Sequence, residues 1–327
     1  MNIDFQIKIL VLAFLATTVL SVIIIPILKR LKVGQNERDD GPQSHIKKQG
    51  TPTMGGIIMM ISIIISTIGG YLYYKGREIA IAQNLIPLIL VTVGFGLIGF
   101  ADDFKKLRQK NTKGLSPALK MLGLLIIASI YTFYIVQIVG VGTDIIIPFS
   151  KTTVTLPTVV YIPLVVLVML GTTNAVNLTD GIDGLATSIS AIILTTLTTI
   201  AIVFDVKELV VFGSILVGSC LGFLMFNLHK AKVFMGDLGS LMLGGAISAI
   251  AIYLKMPLFL LIIAFVPVIE TLSVIAQVIS FKTTGKRILK MAPLHHHFEL
   301  SGWKENKIVS VFCLITLIFC IIGLNAI

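Results

Sequence analysis

Charged residues are scarce in this chain. Asp, Glu, Lys and Arg make up 13% of its 327 residues, about half of the roughly 25% typical of soluble globular proteins. Apolar residues make up 56% and form runs of the length that crosses a bilayer, about 20 residues each. The composition therefore excludes a water-soluble fold and leaves no room for a sizeable soluble domain.

Cysteine is scarce as well. Cys220, Cys313 and Cys320 lie within apolar runs, and no CxxC pair or zinc-type spacing occurs. A disulfide framework is therefore excluded. The sequence also lacks a Walker A motif, a repeat of fixed period and a low-complexity linker, so no P-loop is present and an inverted-repeat transporter is not suggested.

Ten apolar stretches predict an all-α polytopic membrane protein with about ten transmembrane helices, formed as one domain over residues 1–327. They lie at residues 5–28, 53–73, 83–101, 117–139, 157–173, 184–204, 208–226, 238–254, 257–279 and 307–326.

The basic residues indicate an orientation for these spans. Of the 26 Lys and Arg residues, 19 follow the odd-numbered spans, six lie at the N-terminus or in the alternate loops, and Lys120 lies within the fourth span. The positive-inside rule makes the first side cytoplasmic, so both termini are expected outside. The net charge of +10 is then a property of these loops, and no nucleic-acid partner is expected.

Acidic and amide side chains are also concentrated at the predicted cytoplasmic helix ends, which predicts a cytoplasmic-face active-site cleft at the membrane surface. They are Asp102, Asp103, Asn174, Asn177, Asp180, Asp183, Asn227 and Asp237.

Several of these residues have a structural alternative. Asp102 and Asp103 precede a run of lysines that would pair with them as solvated charges, or they form a metal or phosphate-chemistry site. Asp180 and Asp183 each precede a glycine, as in ordinary turns, although two Asn and two Asp within ten residues also suit a sugar, a base edge or a metal's waters. Asp237, flanked by glycines, is either a helix N-cap or a cation ligand beside free backbone N–H groups.

Two further segments lie at the same predicted face. Residues 50–56, preceded by Lys47 and Lys48, form a helix start that provides either routine capping or an anion cradle. His295, His296 and His297 are consecutive and do not all face one metal on a regular helix or strand. Phosphate contacts fit them better than zinc, and the nearby basic stretch suits an interface with anionic headgroups.

Two polar residues fall within the ninth span. Glu270 is a functional candidate because an ionisable group in a span is costly, although it could simply bond to its neighbours. Gln277 follows two turns later on roughly the same helix face.

In this order the motifs resemble those of the phospho-N-acetylmuramoyl-pentapeptide transferase family, within the polyprenyl-phosphate N-acetylhexosamine-1-phosphate transferases, across nearly the whole chain. The matching segments are residues 40–45, 50–56, 102–104, 111–115, 174–184, 234–237, 270–274 and 292–299. Segment 50–56 and the His triplet resemble the muramoyl-pentapeptide branch in particular. Lys230 departs from the family, which more usually has Pro there, and this affects only loop shape.

The resemblance implies Mg²⁺-dependent transfer of phospho-N-acetylmuramoyl-pentapeptide from its UDP carrier to undecaprenyl phosphate, which yields UMP and lipid I. It also implies a ten-helix enzyme of the bacterial cytoplasmic membrane that is often a homodimer.

The resemblance further implies residue roles. Asp237 resembles the Mg²⁺ ligand, and Asp102, with Asp103 beside it, resembles the residue that deprotonates or positions the lipid phosphate. Lys106 and Asp183 resemble the uracil contacts, and Phe234 resembles the ring that stacks on the base. Ten further residues resemble those that form the remaining polar wall of the family's cleft. They are Lys48, Thr53, Asn174, Asn177, Asp180, Asn227, Gln277, His295, His296 and His297.

Other readings stay open from the sequence. Within the superfamily, the alternative is transfer of GlcNAc-1-phosphate from UDP-GlcNAc. A transporter or a structural membrane scaffold would also explain the composition, although a transporter favours polar groups near mid-membrane on several spans. Direct attack by the lipid phosphate and a two-step route through a phospho-aspartate are both compatible with the motifs.

Overall fold

The computed structural model describes residues 3–31, 50–109, 114–150 and 152–327. Lys48 of the predicted site, with segments 40–45 and 111–113, lies outside them. The described residues form a helical bundle with the helices α1 Ile3–Arg30, α2 Gly56–Lys75, α3 Ile79–Gln109, α4 Pro117–Gln137, α5 Thr158–Thr179, α6 Leu185–Val203, α7 Lys207–Asn227, α8 Gly236–Tyr253, α9 Leu260–Ile263, α10 Phe265–Thr284, α11 Leu294–Glu299 and α12 Glu305–Asn325.

Ten of these helices are long and apolar enough to span a membrane, which confirms the predicted all-α polytopic fold. Their outward faces are apolar, as lipid contact requires, because the bilayer core offers no partner to polar groups. The protein is therefore a multi-pass membrane protein.

Helix α8 forms the centre of the bundle and packs most closely on α3 and α5. Of its apolar stretch 83% is buried, against 17% for α10, which lies at the periphery. Small residues permit the closest contacts. A Cβ at Gly99 would overlap the carbonyl oxygen of Asp237, and one at Gly56 would overlap the backbone nitrogen of Gly239. These approaches fix the ends of α2, α3 and α8 against one another.

Helix α1 is held to α7 and α2 in the same way. A Cβ at Gly222 would lie 2.6 Å from the carbonyl oxygen of Phe14. The buried Thr17 hydroxyl donates to Ser62 Oγ at 2.7 Å and lies 3.1 Å from Ser219 Oγ. Small residues and interhelical hydrogen bonds of this kind replace the hydrophobic driving force that is missing between helices in lipid.

Three details differ from the sequence prediction. Helix α3 continues to Gln109, so Asp102, Asp103 and Lys106 lie on its last turns rather than in a loop. The ninth predicted span is divided into a 3-10 turn at Pro257–Phe259, the short α9 and α10, with Ala264 between them. An antiparallel hairpin of β1, Asp144–Ile147, and β2, Thr152–Thr155, connects α4 to α5.

Candidate active site

Three carboxylates converge at one end of the bundle. Asp102 and Asp103 lie near the C-terminus of α3, and Asp237 lies in the first turn of α8. One oxygen from each lies within 4.8 Å of the others. Asp102 and Asp103 are each 4% exposed, so this is an enclosed acidic cluster and not a solvated charge run. The structure thus brings together the three predicted catalytic residues.

Two lysines balance these carboxylates. Lys106 Nζ lies 2.6 Å from Asp102 Oδ2 and 2.9 Å from Asp237 Oδ2. Lys120 Nζ, from the first turn of α4, lies 2.9 Å from the same Asp237 oxygen. Sequence reasoning missed Lys120, which it counted only as a charge within the fourth span. The rarity of lysine inside a membrane helix was the signal that would have identified it.

Backbone groups fix the carboxylates. Asp102 Oδ1 accepts a hydrogen bond from the N–H of Leu115 at 2.8 Å. Asp103 Oδ2 accepts one from the N–H of Leu238 at 3.1 Å, which uses a free donor at the start of α8. Gly236, directly before Asp237, has a φ of +76°, and a Cβ at Gly236 would lie 2.6 Å from Asp103 Oδ2. The glycine flanking Asp237 is therefore required by both conformation and space.

The segment before α2 belongs to the same site. The N–H of Phe234 donates to Pro52 O, and the N–H of Gly55 donates to Phe234 O, each at 2.8 Å. Thr53 and Phe234 are half-buried, and Thr53 Oγ1 lies beside Gly236. Two motifs that are distant in sequence thus form one short backbone ladder at the edge of the carboxylate cluster.

Helix α5 supplies the amide side of the site. Asn177 Nδ2 donates to Asp237 Oδ1 at 2.9 Å and to Ser240 Oγ at 2.8 Å. Asn174 instead donates to Leu170 O of its own helix at 2.7 Å. Asn177 is therefore part of the cluster, whereas Asn174 lies one turn away from it.

Asp180 follows the end of α5 and is half-buried. Burial of its carboxyl group, reinforced by the charges of Asp237 and Asp103, raises the pKa of Asp180 to about 8 from an ordinary 3.8. At neutral pH it is thus mostly neutral and adds little negative charge to the cluster.

A second group joins Asp183, His229 and Glu305. Asp183 is buried and accepts from the N–H of Ala231 at 3.0 Å, and His229 Nδ1 lies 3.3 Å from its carboxylate. Asn227 is also buried, accepts from Thr187 Oγ1 and donates to Val233 O. Asp183 and Asn227, both predicted to bind substrate, thus hold the loop at 228–233. Their contact with substrate stays a prediction.

The His triplet forms half of α11, and its three rings point to different neighbours. His295 is fully buried, with Nδ1 3.2 Å from Glu270 Oε2, and its ring abuts Gly181. His296 Nδ1 lies 3.2 Å from Glu299 Oε2, and His297 Nδ1 accepts from the N–H of Lys290 at 3.2 Å.

Gln277 is likewise engaged. Its Oε1 accepts from the N–H groups of Ile288 and Leu289, and its Nε2 donates to Leu289 O. In this structure Gln277, His295 and His297 therefore organise the loop at 285–300, and their role as substrate contacts also stays a prediction.

The cluster of Asp102, Asp103 and Asp237 has the donor set of a magnesium site. Mg²⁺ takes oxygen ligands, of which one or two carboxylates with waters and phosphates are typical. The ammonium groups of Lys106 and Lys120 each contact Asp237 Oδ2 in this structure, so the surroundings of this carboxylate already stabilise positive charge. The residues fit the cation, provided that at least one ammonium group moves away from Asp237.

Comparisons with known proteins give matches over nearly the whole chain. The family model described as glycosyl transferase family 4 matches residues 85–255. The chain is 48% identical, over 99% of its length and 96% of the relative's, to a phospho-N-acetylmuramoyl-pentapeptide-transferase of Acetivibrio thermocellus. It is 49% identical to the enzyme of the same name from Staphylococcus carnosus, over 96% of this chain and 97% of that one.

Proposed function

Because the chain belongs to glycosyl transferase family 4 and, within it, to the phospho-N-acetylmuramoyl-pentapeptide transferases, we propose its full reaction. UDP-MurNAc-pentapeptide donates its phospho-sugar to undecaprenyl phosphate, and the products are lipid I and UMP. The observation that supports this most is the enclosed group of three carboxylates and two lysines at the end of a membrane bundle. Such a site is adjacent to both a lipid acceptor and a soluble donor.

The charge of the cluster suits this reaction. Burial and the neighbouring Asp237 charge raise the pKa of Asp103 to about 7, so this carboxyl group is only partly ionised at neutral pH. With all three carboxylates ionised, the cluster and its two ammonium groups would carry one net negative charge, which a divalent cation would reverse. Asp237, with Asp102 and Asp103 beside it, would hold Mg²⁺, which would neutralise the donor pyrophosphate and stabilise the departing UMP. Donor and acceptor are both polyanions, so a cation in the site would strengthen the attraction of both.

The lysines have a separate role in this proposal. The ammonium groups of Lys106 and Lys120 both lie on Asp237, so a cation held there would free at least one of them for phosphate oxygens. Lys106 is anchored to Asp102 at 2.6 Å, so it stays at the cluster, where the family resemblance places a uracil contact. Fixed positive charge at the phosphates stabilises the transition state without reorganisation.

The attack is proposed to be direct. A phosphate monoester is largely dianionic at neutral pH because its second pKa is about 6, so the lipid phosphate needs positioning more than deprotonation. Its oxygen forms the new bond to the sugar-linked phosphorus while the bond from that phosphorus to the UMP oxygen breaks in line. Asp102 is a poor alternative nucleophile, because Leu115 and Lys106 occupy both of its oxygens.

The test of this step uses donor alone. Incubation of detergent-purified protein with UDP-MurNAc-pentapeptide and Mg²⁺, but no acceptor, is expected to give no phosphorylated Asp102 or Asp103 by mass spectrometry of acid-quenched peptides. Acceptor added to a parallel sample is expected to give lipid I. A trapped phospho-aspartate that disappears when acceptor is added would establish the two-step route instead.

The protein is further proposed to reside in the bacterial cytoplasmic membrane as a homodimer with this site facing the cytoplasm. The distribution of Lys and Arg supports the orientation, and the relatives' name supports the compartment, since it denotes a muramoyl-pentapeptide transferase.

A further inference from the structure

Helix α10 projects away from the bundle. Its buried residues are Val266, Pro267, Glu270 and Ser273, all in its first half. Beyond them its large apolar side chains are exposed, with Ile279 at 57% and Phe281 at 54%. The second half of α10 therefore contacts what surrounds the protein rather than the bundle itself.

The chain that follows α10 is an ordered loop folded back on this helix. Gln277 makes three hydrogen bonds to the backbone of Ile288 and Leu289, and Ser280 Oγ donates to Lys286 O at 3.0 Å. These contacts hold the loop against the end of α10. We name residues 282–290, which are the end of α10 and the loop after it, the basic loop.

The basic loop combines positive charge with exposed apolar surface. It contains Lys282, Lys286, Arg287 and Lys290, and no acidic residue occurs between Glu270 and Glu299. Ile288, within the loop, is 62% exposed. Basic and large apolar side chains together at the end of a membrane helix match the headgroup region, where the apolar groups enter the acyl boundary and the cations meet phosphates.

We propose that the basic loop is a binding surface for the anionic phospholipids of the surrounding bilayer, with Lys286 and Arg287 on the headgroup phosphates. The loop is also joined to α11, because the N–H of Lys290 donates to His297 Nδ1 and its Nζ donates to Leu300 O. Lys290 thus links the proposed lipid surface to α11, whose His295 abuts Gly181, the residue after Asp180. This inference concerns a surface separate from the carboxylate cluster and does not depend on the reaction.

The test measures lipid preference without any substrate. Protein in phosphatidylcholine bilayers is probed with spin-labelled phosphatidylglycerol and phosphatidylcholine, and the relative association of the two is read from the immobilised fraction. The double variant Lys286→Gln, Arg287→Gln is expected to reduce the preference for phosphatidylglycerol at least twofold. The control variant Lys75→Gln, Arg77→Gln removes the same charge at the opposite end of the bundle and is expected to leave the preference near wild type.

Two further arms sharpen the result. At about 1 M salt, where the Debye length is about 3 Å, wild type is expected to approach the preference of the double variant. An unchanged preference in a folded double variant would overturn the proposal. So would selective displacement of the labelled phosphatidylglycerol by equimolar polyprenyl phosphate, which would assign the loop to the acceptor.

Discussion

At the scale of single residues, Asp237 is the centre of the account. It meets two ammonium groups and the Asn177 amide and is the proposed cation ligand. Asp237→Asn is expected to reduce UMP release about a hundredfold or more at every practical Mg²⁺ concentration, with the thermal transition retained. Asp144→Asn, whose partner Lys255 lies at the far end of the bundle, is the control and should keep near wild-type turnover. Near wild-type turnover of the Asp237 variant would refute the metal assignment.

Lys120 gives a second residue-scale prediction. Its ammonium group competes with a cation for Asp237 and then serves the phosphates. Lys120→Gln is therefore expected to lower the Mg²⁺ concentration required for half-maximal activity while it lowers kcat about tenfold or more. Lys120→Arg, which keeps the charge, should retain more of kcat. A Mg²⁺ requirement that rises in the Gln variant would mean that Lys120 supports the cation instead of competing with it.

Asp180 predicts a pH dependence of stability. Its folded pKa of about 8 lies above the ordinary 3.8, so the folded state binds the proton more tightly. This contribution is fully present below about pH 4 and is lost as the pH rises through about 8. In EDTA, the melting temperature of wild type should fall more between about pH 6 and about pH 9 than that of Asp180→Asn. Equal slopes for the two proteins would show that Asp180 ionises normally.

At the scale of elements, the contact of α3 with α8 positions the carboxylates. Gly99→Ala is expected to destabilise the protein by about 1–3 kcal/mol, because the new Cβ overlaps the Asp237 carbonyl and the helices must separate. Activity should fall as well, since Asp102 and Asp103 follow on the same helix. Gly171→Ala in α5, where a Cβ meets nothing within 4 Å, is the matched control. Equal melting temperatures for the two variants would contradict this packing.

The elements also show how far the sequence predicts the structure. Long apolar runs identified all ten spans, because hydropathy alone selects membrane helices. The apolar runs did not predict the extension of α3 to Gln109. The polar residues after Ala101 were taken as a loop, whereas in the structure they pair within the cluster.

The contacts within the site were not predictable from local patterns. The joining of Asp102, Lys106 and Lys120 to Asp237 depends on close helix contacts at Gly56 and Gly99. Gln277 is similar, because no local pattern predicted its partners in the structure, which are backbone groups eleven and twelve residues away. The substrate contact that the family resemblance implies for Gln277 stays a prediction.

At the scale of the whole molecule, orientation is the first prediction. After replacement of Cys220, Cys313 and Cys320 by Ala, single cysteines at Lys286 and Arg77 are expected to label from opposite sides of intact cells. An impermeant maleimide should reach Arg77→Cys from outside, and Lys286→Cys only after the membrane is permeabilised. The reverse pattern would invert the topology and place the carboxylate cluster outside.

The protein as a whole is proposed to use UDP-MurNAc-pentapeptide as its donor. The most direct test is to compare its activity with this donor and with UDP-GlcNAc. The measurement is UMP release by detergent-purified protein with undecaprenyl phosphate and Mg²⁺, comparing UDP-MurNAc-pentapeptide with UDP-GlcNAc, each with and without EDTA. The account predicts EDTA-sensitive release with the muramoyl donor alone. Release with UDP-GlcNAc alone would contradict the proposed donor, and release with neither donor from folded protein would contradict the proposed reaction itself.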